Sequence, residues 1–304
     1  MSEELASAIP EIAKELAVKT YEDVAQPALR STGGIIELLT RALRATMAPL
    51  EIWTLKREYQ VKETAKLLEE KLKYLPSEQI QTPESYIAIP ALIYISYCMD
   101  NHELRDMYAN LLASSMNKVV KNGVHPSYVE IIKQLCPDEA KILRHIATEE
   151  AIPTISVYYC KNSGANVRFV KDFSDVGYLT GCERPFDVCK YMDNLSRLGL
   201  IEIPVSSPSM YNPLDDEKSY ESLEKHEYIQ PYISVNTDTL KSKEITLKLI
   251  RNHAIITDYG KGFCLICLNI AQKTTPREQA VISELGIATE EEVSEMLNEV
   301  FGKS

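Results

Sequence analysis

Apolar residues recur at three- and four-residue steps through the first half of the chain, the period of amphipathic helices. Residues 4–24 read as a polar-faced helix that closes near Pro27. In GGIIELLTRALRATMAPLEIW, Ile35, Ile36, Leu39, Leu43, Met47 and Leu50 form a broad apolar face, interrupted by Glu37, Arg41 and Arg44 and broken at Pro49. A spanning helix needs about 20 mostly apolar residues, so this segment is too charged to cross a bilayer. It suits a bundle helix first, and with Trp53 a membrane-surface helix second, since one amphipathic pattern describes both. Residues 50–74 continue as a charged helix with Val61, Ala65, Leu68 and Leu72 on one side, and LPSEQIQTPE is a loop. The nearly uncharged SYIAIPALIYISYCM predicts a buried helix interrupted near Pro90. In NHELRDMYANLLASSMNK, Leu104, Met107, Tyr108, Leu111 and Ser115 make the apolar stripe, with Asp100 and Glu103 as a capping box. Glu103, Arg105, Asp106 and Asn110 are assigned to its wet side. Pro126 suits a first helical position, and Tyr128, Ile131, Ile132 and Leu135 share the face that follows.

The period changes after Cys136. PDEAKILRHI predicts a helix with Pro137 at its head and acids in its first turn, where the helix dipole favours them. ISVYY reads as a strand, and KNSGANVRF as a turn into a second one. In PFDVCKYMDNLSRLGLIEIPV, Val188, Met192, Leu195 and Leu198 stripe a helix that Gly199 terminates, and LIEIPV is a strand. RNHAIITDYGKGFCLICLNIAQ predicts a strand, a glycine turn and a hydrophobic helix. Helix, helix, strand and return strand resemble a winged-helix module, with 206–227 as an acidic loop inserted where a wing would sit. The fold class expected is therefore mainly α with a small β component. An N-terminal helical bundle (1–135) precedes a winged-helix-like domain (136–272) and a helical acidic tail (273–304) with a capping box from Thr289 to Glu292.

Composition is that of a soluble globular protein: of 304 residues, 45% are hydrophobic and 25% charged. The net charge of −11 opposes nonspecific phosphate binding, though it leaves room for a small basic patch. Seven cysteines, an odd number lying mostly in apolar runs, suit free thiols in a reducing cytosol. The N-terminus carries neither a basic nor an apolar region of a secretion signal, so a cytoplasmic protein is expected.

No motif points to catalysis. Asp138 and Glu139 adjoin in a helix start, which suits capping and not the separated acids of a metal-dependent nuclease. Cys264-Leu-Ile-Cys267 has apolar flanks and no second pair, so it reads as core. The five histidines are scattered, and no phosphate-binding glycine loop or nucleophile elbow occurs. No enzyme activity, cofactor or metal is expected. The candidate recognition helix offers Asp187, Lys190, Asp193, Asn194 and Arg197, nearly balanced in charge, which favours protein contact over DNA.

The runs ELRDMYANLLASSMNK and HPSYVEIIKQLCPDEAKIL, the LPSEQI…TPE loop before them and IITDYGKGFCLICL near the end resemble the bacterial abortive infection alpha family over about residues 20–270. One departure is Cys136, where the family favours Ser, a better helix cap. The resemblance implies antiphage defence: a bacterial protein that halts growth or kills its host when infection is sensed. It implies no catalytic residues. The matching positions Leu104, Leu111 and Leu112 read as core, while Arg105, Asn110, His125 and Glu130 are candidate contact residues. The expected partner is a protein or phage component, with nucleic acid disfavoured. A homo-oligomer and a peripheral membrane contact through Ile35, Ile36, Leu39, Leu43, Met47 and Trp53 are compatible with the pattern. The competing reading is a winged-helix transcription regulator.

Overall fold

The computed structural model describes residues 55–149, 151–204, 214 and 218–270. The helices expected over 4–24 and around Ile35–Trp53, and the capping box at Thr289, lie outside the described residues. The fold is mainly helical with one four-stranded sheet. The described residues form two compact units: 55–135 with Leu265–Asn269, and Cys136–Cys264 with Ile270.

In the first unit, α1 (Leu55–Leu72), α2 (Ser85–Ile95) and α4 (Ser127–Lys133) gather around α3 (His102–Met116). Helix α3 packs against each of the other three. Its Met107, Tyr108 and Leu111 are fully buried with Leu68, Ile89, Ile95 and Ile132, so the predicted stripes converge on one core. Two local details differ from expectation. Pro90 lies within α2 and does not interrupt it. Proline forfeits one backbone bond, here to the carbonyl of Tyr86, an exposed residue. The cap of α3 is Asn101 and not Asp100: the Asn101 side chain accepts the Leu104 N–H at 3.0 Å. Asn and Asp cap equally well, so adjacent candidates are hard to separate by sequence.

The second unit starts with α5 (Pro137–Ile146), then β1 (Ile152–Lys161), β2 (Asn166–Phe173), α6 (Val176–Leu179), α7 (Val188–Arg197) and β3 (Ile201–Glu202). It continues with α8 (Lys218–Lys225), α9 (Gln230–Ile233), α10 (Thr237–Ser242), β4 (Ile245–Ile256) and α11 (Asp258–Phe263). The antiparallel sheet has the order β2-β1-β4-β3. Gly199 ends the α7 region with φ +72°, as its predicted position after the helix requires. The LIEIPV strand is shorter than expected, with only Ile201 and Glu202 paired to β4.

The 206–227 segment is not simply a loop, because α8 occupies its last third. Tyr220 and Leu223, three residues apart, are buried; the Tyr220 hydroxyl donates to the Asn252 carbonyl at 3.0 Å, and Glu224 pairs with Arg251 at 2.7 Å. High acidity hid this one-sided spacing. Beyond α8, the 226–232 stretch lays its rings on the sheet. Tyr228 stacks on Phe173 with centroids 4.8 Å apart, and the Tyr159 hydroxyl donates to the Tyr232 carbonyl at 2.7 Å.

Helix α11 docks where α7 hands over to β3. The Thr257 N–H donates to the Leu200 carbonyl at 3.1 Å, and the Thr257 hydroxyl caps Gly260 N–H at 2.9 Å. A Cβ on Gly260 would lie 2.0 Å from the Leu200 oxygen, so only glycine permits this approach. Gly260→Ala is expected to destabilise the chain by about 3 kcal/mol, the upper range for forced overpacking. Chemical denaturation measures it, and a loss under about 0.5 kcal/mol, the level of ordinary surface changes, would refute the constraint.

Candidate functional site

The corner formed by α6, the following loop and α7 is the most firmly built exposed surface of the second unit. Gly177 lets the corner close, since a Cβ there would meet the Pro185 carbonyl at 2.8 Å. Gly181, at φ +62°, reverses the chain after α6. The loop is then held from α5. The buried Asp138 carboxylate accepts the N–H groups of Glu183 at 2.9 Å and Arg184 at 3.1 Å, and the Tyr191 hydroxyl at 3.0 Å. Lys141 donates to the Gly181 carbonyl at 3.0 Å and lies 3.8 Å from Asp138. One residue on, Glu139 accepts Asn194 from α7 at 2.9 Å while its second oxygen takes the Cys136 N–H at 2.7 Å. Cys136 completes the capping box through a long 3.5 Å contact from its sulfur to Glu139 N–H. This is the weak thiol version of the cap that a serine would make.

What the corner presents is apolar. Leu179 is 67% exposed and Phe186 50%, with Tyr178 beside them. Charges around it are paired among themselves: Asp187 binds both Arg184 and Lys190, Lys171 binds Asp193, and Arg197 donates to Asn194. The Arg184 guanidinium lies over the Phe186 ring, 5.3 Å from its centroid. Of the helix residues proposed from sequence, Lys190, Asp193 and Arg197 are exposed, but Asn194 and Asp187 are turned into these local bonds.

In the first unit the four candidate contact residues are not assembled into one constellation. Arg105 donates to the Met99 carbonyl at 3.0 Å, His125 bonds Ser127, and Glu130 pairs with Lys133 at 3.5 Å. Asn110 does not take the wet side: it is 8% exposed and donates to the Cys267 carbonyl at 2.9 Å. Ser114, one turn on, donates to the Ile266 carbonyl at 3.3 Å. Both hold the π-helical turn Cys264–Leu268, whose spacing leaves backbone carbonyls for side chains to satisfy. A small cleft of about 120 Å³ beside them is lined by Lys71, Asn110, Ser114, Asn117, Ile266 and Asn269. Its lysine is occupied by Asp106 at 2.6 Å.

The sequence profile of abortive infection alpha proteins matches residues 56–267, from the first turn of α1 to the π turn. The chain belongs to the abortive infection alpha family. In this family member α3 is the hub of the first bundle, and its Asn110 acts as an internal tether. A solved structure of an uncharacterized protein from the hydrocarbon-degrading marine bacterium Alcanivorax borkumensis SK2 is similar at 17% identity. The overlap covers 46% of this chain and 90% of that one, with a TM-score of 0.31. No curated protein matches the abortive infection alpha chain.

Burial raises the thiols of Cys136 and Cys189 to about 11 and of Cys264 to about 12, so all three stay protonated at neutral pH. Among the described residues no group of three or more His, Cys, Asp or Glu is placed to hold a metal, and no helix is long and apolar enough to cross a membrane. The residues that sequence reasoning missed are Asp138 as a clamp, and Leu179 and Phe186 as a surface. An acid at a helix start looks like dipole compensation, and two apolar residues flanking a turn look like core.

Burial pushes the Asp138 carboxyl upward, but the two amides, the Tyr191 phenol and Lys141 outweigh it and hold it below the usual 3.8. A depressed folded-state value adds stability above the unfolded value and loses it as pH falls through the folded one. Asp138→Asn is expected to cost about 2–3 kcal/mol at neutral pH, the scale of hydrogen bonds to a charged group. The gap to the parent protein should close as pH falls below 3.8. Denaturant midpoints between neutral and acid pH measure this, and a pH-independent gap would contradict the clamp.

Proposed function

We propose that this abortive infection alpha protein acts without catalysis, by docking a protein partner or phage component on the α6–α7 corner of a winged-helix-like module. Support for the module comes from the order helix, turn, helix, β3 and returning β4, with β1 along the other edge of β4. That is the succession a winged helix uses. The observation that carries the docking reading is the corner itself: Leu179 and Phe186 are exposed on a loop pinned by Asp138. Ordering such a loop before binding lowers the entropy cost of association. A DNA-reading helix needs cations free for phosphates, whereas those around α7 are spent on Asp187, Asp193 and Asn194.

Family membership places the activity in abortive infection, so the readout is phage challenge at low and high dose. Protection at low dose with early culture collapse at high dose is expected of the parent chain. Replacing Leu179 and Phe186 with Asp should abolish protection while leaving the folded stability near that of the parent. An apolar anchor of this kind contributes about 2 kcal/mol, so partner affinity should fall roughly 30-fold per position. Full protection by the double variant would sink the corner as the docking site. The regulator reading makes the opposite forecast: a mobility shift with the gene's own promoter, lost on Lys190→Ala and Arg197→Ala. The membrane reading rests on Ile35, Ile36, Leu39, Leu43, Met47 and Trp53, and absence of binding to anionic vesicles would eliminate it.

A further inference from the structure

The sheet treats its two faces differently towards the β1–β2 hairpin. Along β1, side chains alternate between faces, and residues directly opposite on neighbouring antiparallel strands share one. Tyr159 and its cross-strand diagonal Phe169 meet at 4.7 Å on the side where Tyr232 also packs. The opposite side holds Tyr158, which pairs with Arg168 on β2 and with Lys248 on β4. Those three residues form a row across three strands. The cations are therefore separated by two strand spacings, roughly 10 Å, with the phenol ring between them. The next row on that face, two residues towards the hairpin, is Asn166, Cys160 and Thr246.

This face is open. Arg168, Lys248, Asn166 and Thr246 are exposed, and Tyr158 and Cys160 partly so, whereas Thr154 and Ser156 further down the same side of β1 are buried. Among the described residues neither Arg168 nor Lys248 enters an ion pair, unlike Lys171, Lys190 and Arg251 in the same unit. Lys241 and Lys243 lie just before β4, with Glu244 as the acid among them, while Lys161 at the end of β1 alternates to the opposite face. In a protein of net charge −11, two cations on one sheet face without an ion pair among the described residues are a local exception to its overall electrostatics. A ring flanked by cations on an open sheet is what a single-stranded nucleic acid uses: a base stacks on the aromatic face and phosphates run to the charges. The adjoining uncharged row adds an amide and a hydroxyl, groups suited to a ribose 2′-hydroxyl.

We propose that the open sheet face carrying Arg168, Tyr158 and Lys248 is a binding site for single-stranded RNA, with a base on Tyr158, phosphates on the two cations, and Asn166 and Thr246 at the sugar edge. The site is separate from the α6–α7 corner, so the two readings stand or fall independently.

The test is fluorescence anisotropy of the full chain with a labelled oligouridylate of roughly ten nucleotides, a length suited to one such surface. Binding is expected at about 50 mM salt and should weaken steadily as salt rises. Tyr158→Leu should weaken it about tenfold through loss of stacking, while Tyr158→Phe keeps it. Arg168→Ala and Lys248→Ala should each lower the salt slope by about 0.7, the increment for one phosphate contact on a single strand. All three positions are exposed or half-exposed, and thermal melts check that the variants are folded. Absence of binding at low salt, or binding indifferent to Tyr158→Leu, overturns the site. Equal affinity for the deoxy oligomer of the same length overturns the assignment to RNA, and equal competition by polyglutamate reduces the patch to a nonspecific polyanion surface and overturns it as well.

Discussion

A buried carboxylate in the first turn of α5 organises the second unit. Taking Asp138 out of water is costly, and the fold offsets that cost with two backbone amides, one phenol and a nearby ammonium. The donors come from three places: the α6–α7 loop, the body of α7, and the next turn of α5. One anion thereby fixes the loop's path, the seat of α7 and the start of α5 together. Glu139 repeats the device with Asn194 and the Cys136 amide. The result is an exposed loop with little freedom, able to present Leu179 and Phe186 in a defined geometry.

The first unit solves a similar problem with neutral groups. Its π turn brings carbonyls near α3, and Asn110 and Ser114 supply the donors. Small residues along α3, Ala109 and Ala113 among them, suit close approach of neighbouring segments. Asn110, a candidate contact residue by sequence, is thus spent on holding the fold. Arg105 likewise spends itself on the Met99 carbonyl.

The sheet shows how a mostly acidic chain acquires a basic surface. Alternation along β1, β2 and β4 sorts Tyr159, Phe169 and Phe173 to the side on which the 226–232 stretch packs and leaves Arg168, Tyr158 and Lys248 on the other. These residues are 90 positions apart at the extremes, and no short linear window contains them. Net charge constrained the average field of the protein but said nothing about this row.

Periodicity alone was enough to place α1, α3, α5 and α7, the β1–β2 pair and the glycine end at Gly199, because one-sided burial writes itself into spacing. The family was legible separately, from the resemblance of the runs in α3, α4 and α5, and not from periodicity. The sequence pattern misplaced the cap at Asn101 by one residue, overrated Pro90 as a breaker and passed over α8, since each depends on which polar group the surroundings leave for water. Tertiary structure alone decided that Asn110 faces inward, that Asp138 clamps a loop 45 residues away, and that Leu179 and Phe186 remain outside. Spacing records which side of an element is apolar; the partner of a buried polar group, and the exposure of an apolar residue at a turn, are settled only when distant segments meet.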